Sequence, residues 1–112
     1  MIAPWYALMF EKLDRIAWRY GYCLTLHGSM ARDLDLVAIP WVEDADDPDR
    51  LIDAFVRYVA NKSDVHISQP RSVSKPHGRM SYVIPIGFGG NYYLDISVMP
   101  RKSNEPRKTE EK

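Results

Sequence analysis

Two stretches alternate with a period of two. In "DLDLVAI" (33–39) Leu34 and Leu36 sit between Asp33, Asp35 and Val37, and in "YLDISV" (93–98) Leu94, Ile96 and Val98 flank Asp95 and Ser97. Successive strand residues point to opposite faces, so both stretches demand a β-sheet with one face covered and the aspartates on the other. A carboxylate on a half-buried surface is costly unless a cation, a partner or water satisfies it. If the two strands are neighbours, Asp33, Asp35 and Asp95 form one cluster of three carboxylates. The plainer alternative is that Asp33 merely begins its strand and Asp95 pairs with Arg79 or Arg32.

The cover for the apolar face is also legible. Residues 5–20 place Trp5, Leu8, Met9, Leu13, Ile16, Ala17 and Tyr20 at helical spacing, with Pro4 suited to the first turn and Gly21 to the stop. A second helix, about 49–61, aligns Leu51, Ile52, Phe55, Val56 and Val59, with Asp47 as its cap and Pro48 in its first turn. The remaining strands are expected at "YCLTLH" (22–27) and around "DVHIS". "QPRSVSKPHG" (69–78), with its prolines, glycine and serines, is expected to be a loop. "RMSYVIPIGFGGNYYLDISVMP" is expected to be a hairpin turning through its glycines. The fold class is therefore α+β, a small mixed or antiparallel sheet with two helices on one face, in the order α-β-β-α-β-β-β. Residues 1–100 form the single domain. "RKSNEPRKTEEK" (101–112) has no apolar residue and reads as a disordered polar tail.

Composition narrows the function classes. A chain of 112 residues, 46% hydrophobic and 27% charged, supports one core and not two domains. Fifteen basic and fifteen acidic residues cancel, which argues against strong generic binding to nucleic acid. The single Cys23 excludes an internal disulfide and a cysteine-cluster zinc site, and reads as a small buried thiol. No apolar run approaches the roughly 18 residues of a membrane span. The first residues lack a basic leader and a cleavage pattern. A cytoplasmic location, in a bacterial host, is the expectation.

An oxygen-only cluster suits Mg²⁺ or Mn²⁺, which retain waters and are often completed by substrate phosphates. Directly upstream, Gly28 permits a tight turn and close approach of a phosphate, and Ser29 offers a hydroxyl and an N–H. A bare Gly-Ser is weak evidence, and its value lies in preceding Asp-x-Asp between two strands. Arg32 can pair with phosphate or neutralise Asp33. Lys75, His77 and Arg79, in "KPHGR", can fold over the carboxylates and meet a triphosphate, or form a solvated turn. His27, directly before Gly28, is within reach of the site, but a strand-end histidine held by backbone is the commoner case, and Trp41 reads as a packing residue rather than a base-stacking one. "GFGGN" joins two strands and precedes no helix, so it is not a phosphate loop.

"HGSMARDLDL" followed by "YYLDISV" resembles the DNA polymerase β-type nucleotidyltransferase superfamily, whose hallmark is strand, Gly-Ser, Asp-x-Asp and a third carboxylate on a later strand. The resemblance implies a small palm-like fold and transfer of a nucleoside monophosphate from a nucleoside triphosphate. It implies that Asp33 and Asp35 bind metal, that Asp95 helps activate the acceptor, and that Gly28 and Ser29 hold the triphosphate. Only Met30, Ala31 and Arg32 separate Gly-Ser from Asp-x-Asp, shorter than is usual in that superfamily, and no second domain is present to hold a base or acceptor. The whole chain also resembles small proteins encoded by bacteriophages, a likeness that brings no activity with it. The alternative reading is a catalytically inactive descendant of the fold, acting as an accessory protein through protein–protein contacts.

Overall fold

The computed structural model describes residues 4–27, 33–63, 70–85 and 93–101. Helix α1 (Pro4–Arg19) leads into strands β1 (Tyr22–His27) and β2 (Asp33–Pro40), then helix α2 (Pro48–Ser63). Strands β3 (Arg71–Ser74), β4 (Met80–Pro85) and β5 (Tyr93–Val98) follow, with a short 3₁₀ turn at Pro76–Gly78. The five strands form one sheet in the order β1-β2-β5-β4-β3. The pair β2–β5 is parallel and the other pairs are antiparallel. This is the α+β fold and the element order that the alternation and the two amphipathic helices dictate.

The core is what that pattern requires. Leu34 and Leu36 of β2, and Leu94, Ile96 and Val98 of β5, are buried against Met9, Leu13 and Ala17 of α1 and Leu51, Ile52, Phe55 and Val59 of α2. Both helices therefore cover the leucine face. Leu8 departs from its expected place on the buried stripe and is 73% exposed. Helix α2 starts as its sequence predicts, with the Asp47 carboxylate accepting the Asp49 N–H at 2.9 Å. Gly21 stops α1 at φ +89°, and an added Cβ would lie 2.8 Å from the Ala45 Cα.

Three expectations are corrected. The third strand lies inside the stretch read as a loop: Arg71–Ser74 pairs with Met80–Val83 around a turn in which His77 and Gly78 take φ of 67° and 78°. That pairing is tertiary, and the prolines flanking the segment mask it in the sequence. "DVHIS" is outside the described residues. Arg101, expected to open the tail, is docked instead, donating from Nη1 to the Ala45 carbonyl at 3.2 Å. Cys23 is half-buried rather than core, on the face opposite the helices. Among the described residues, no helix is long and apolar enough to cross a membrane.

Candidate carboxylate site

The parallel register sets the geometry of the site. Asp35 lies directly beside Asp95, and Asp33 lies beside Tyr93 one step further along the same face. Because β5 is the middle strand and β2 is its neighbour, the aspartates stand on the interior of the sheet rather than at an edge. Leu34, Leu36, Leu94 and Ile96, one residue out of phase, are buried behind them. All three aspartates are half-buried on the face that the helices leave open.

Electrostatics ties them together. Burial pushes the Asp35 carboxyl above its ordinary value, and the negative fields of Asp95 and Asp33 add to that, while His27 opposes it. The Asp33 Oδ1 is shut off from solvent with no hydrogen-bond partner, an acceptor left with desolvation and no compensation. None of the ion pairs among the described residues involves these three aspartates, so the alternative in which Asp95 pairs with Arg79 is set aside.

This donor set suits a hard divalent cation, being all oxygen, of high negative charge and with one orphaned acceptor. The side chains do not form a ready-made cage, since no group of three or more His, Cys, Asp or Glu among the described residues is arranged to hold a metal ion. A cation would therefore have to draw the carboxylates together by side-chain rotation, which three like charges resist until it arrives.

The structure brings together only part of the site foreseen from sequence. Gly28, Ser29 and Arg32 are outside the described residues. Lys75 and Arg79 are not brought to the aspartates. Met80 pairs with Val98, and the Lys75 N–H bonds to the Arg79 carbonyl at 2.7 Å, which fixes the "KPHGR" turn beyond the far end of β5. Arg79 sits four positions from the level of Asp95, roughly 13 Å along the strand. Its Nε is itself buried without a partner. Strand direction, which alternation does not encode, decides this.

Two residues gain in importance. His27 is opposite Asp35 in the β1–β2 ladder, on the same open face. The signal that could have found it is the short stretch of sequence between His27 and Asp33, which favours antiparallel pairing of the two strands. Trp41, expected to pack, is 61% exposed, and its ring makes a T-shaped pair with that of Trp18 at a centroid distance of 5.4 Å. With Ile39, Val42, Met99 and Pro100 it lines an apolar groove at the end of the sheet away from Asp33.

No family model matches the chain, and no curated protein does. Among solved structures the chain is similar to that of a cytoplasmic RNA terminal U-transferase, at 16% identity and a TM-score of 0.47, over 82% of this chain and 28% of that one. The chain thus spans little more than a quarter of that protein's length, and a likeness of this degree carries no argument about activity. The chain's own structure is an α+β domain with three aspartates gathered on the open face of its central strands.

Proposed function

We propose that the chain is a minimal nucleotidyltransferase-like domain in which Asp33, Asp35 and Asp95 hold Mg²⁺ or Mn²⁺ together with the phosphates of a nucleoside triphosphate. The observation that carries this reading is the β2–β5 register, which pairs Asp35 with Asp95 over a buried apolar layer. A bound divalent ion would supply charge neutralisation for phosphoryl chemistry. The chain's own part is positional: Asp33 and Asp35 would hold the ion, which would supply charge neutralisation at the phosphates, and Asp95 stands beside them to accept the proton of an acceptor hydroxyl. In the transfer, the acceptor oxygen bonds to the α-phosphorus, the α–β phosphoanhydride bond breaks, and pyrophosphate leaves. Gly28 and Ser29 are assigned to the triphosphate by the sequence resemblance alone.

The test is thermal unfolding across a titration of Mg²⁺ or Mn²⁺, with and without a non-hydrolysable nucleoside triphosphate. The melting temperature is expected to rise with the logarithm of ion concentration above the dissociation constant, and Asp35→Asn is expected to remove that response. An unchanged melting temperature across millimolar ion with nucleotide present would overturn the reading.

The apolar groove favours a second reading. Exposed Trp41, Ile39, Val42 and Met99 together suit a protein contact better than they suit water. On that reading the domain binds a partner without catalysis. Partner affinity would then survive Asp35→Asn and fall on Trp41→Ala, and no label would move from any nucleotide to any acceptor.

A further inference from the structure

The two edges of the sheet are not alike. At one edge β3 is four residues long and is bracketed by Pro70, Lys75 and Pro76, and a short strand with prolines and a lysine resists pairing with another chain. At the other edge β1 runs for six residues, "YCLTLH", with no proline, lysine, arginine or carboxylate. Its inner side is laddered to β2 along its whole length, and its outer side has no strand partner among the described residues. The N–H and C=O groups on that side form a template for one more strand. Large apolar side chains lie at both ends of this edge. Leu26, in phase with buried Tyr22 and Leu24 and so on the helix side, is 43% exposed. Trp18, just ahead of β1, is 50% exposed. Ile16, Arg19 and Tyr20 line the cleft between α1 and α2, and at about 100° per residue Trp18 is turned away from all three. Because α1 packs on β1 while α2 reaches β4 through the Tyr82–Asp49 hydrogen bond, that direction is the β1 flank of α1.

We propose that β1 is the interface of a symmetric dimer, in which the β1 strands of two copies pair antiparallel and join their sheets into one. Directly opposed residues share a face, so a two-fold axis at Leu24 sets Leu24 against its own copy, Tyr22 against Leu26 and Cys23 against Thr25. That register brings the exposed Leu26 of each copy beside Tyr22 of the other, and hence toward the other copy's Trp18. A peptide strand added at this edge would satisfy the same backbone groups but leave Trp18 bare, whereas a second copy covers both. At about 250 Å² for a whole indole, the two half-exposed Trp18 side chains offer roughly 250 Å² of the about 1,200–2,000 Å² that a stable interface buries, the rest coming from the two strand edges and the flanks of α1. The inference goes beyond both readings of function. Asp33, Asp35 and Asp95 stand on β2 and β5 and take no part in this edge.

The experiment is sedimentation equilibrium of the full chain over a range of concentrations. Wild type is expected to sediment at twice the chain mass and to dissociate on dilution. Trp18→Glu and Leu26→Glu each put a charge into the seam, and each is expected to weaken the dimer about tenfold or more with circular dichroism unchanged. Thr25→Cys sets a thiol opposite Cys23 of the other copy without entering the core, and mild oxidation is expected to give covalent dimers. Adding Cys23→Ser to that variant is expected to abolish them. This cross-link reads the interface even where a glutamate variant fails to fold. A wild type that stays monomeric at the highest concentration reached would overturn the inference, as would a dimer indifferent to both glutamates and to oxidation. Covalent dimers that persist with Cys23→Ser would overturn the register centred on Leu24. None of these outcomes alters the melting response to Mg²⁺ or Mn²⁺, which tests the carboxylate site separately.

Discussion

Asp35 carries the sharpest residue-scale consequence. Its folded-state pKa lies above the ordinary value of 3.8, chiefly through burial and then through Asp95 and Asp33. Below 3.8 both folded and unfolded chains hold the proton and no penalty exists. As pH rises through the raised value, the folded chain keeps its proton longer than the unfolded one, and stability falls; above it the penalty is constant. Asp35→Asn removes the charge, so the melting temperature of the variant should gain on wild type across that window and stay at or above it at neutral pH. Circular dichroism melts at a series of pH values check this, and a variant less stable than wild type at pH 7 would contradict it. At this scale the sequence was only partly legible. Alternation told which side Asp33, Asp35 and Asp95 occupy, because a period of two is a local property. It could not tell which end of the sheet Lys75 and Arg79 reach, because strand direction is settled only by the chain's path.

Elements are held by single contacts that local chemistry explains. The Asp47 side chain caps α2, and Arg101 approaches the same carboxylate at 4.0 Å. Asp47→Ala should cost about 1 kcal/mol in urea unfolding, the ordinary worth of such a cap. Gly21→Ala should cost more, because its positive φ is strained for any side chain and the new Cβ would meet backbone of Ala45. Helices α1 and α2 were readable because caps and 3.6-residue spacing are written in neighbouring residues. Strand β3 was not, since Arg71–Ser74 owes its existence to the β4 ladder and to the φ of His77 and Gly78. His27 was ranked as a backbone-held strand end for a related reason: its place beside Asp35 comes from a partner across a ladder, not from a motif along the chain.

For the molecule as a whole, the packing beneath β2 and β5 supports both fold and site. Ile96→Ala removes a fully buried side chain from the middle strand and should destabilise by about 2–5 kcal/mol. A loss of metal response in that variant, at a temperature where it remains folded, would show that the site depends on the exact register. Retention would show that register survives the cavity. The parallel pairing of β2 and β5 also has a temporal side. A ribosome releases β2 long before β5, and until β5 emerges the inner edge of β2 has no strand to pair with, while β1 covers only the other edge. Bare, apolar-backed strand edges are sticky, so a nascent or truncated chain ending before Tyr93 should aggregate rather than idle. The three aspartates, split between two strands far apart in the chain, can meet only when β5 is in place, so any ion they hold would act as a seal on the closing of this sheet.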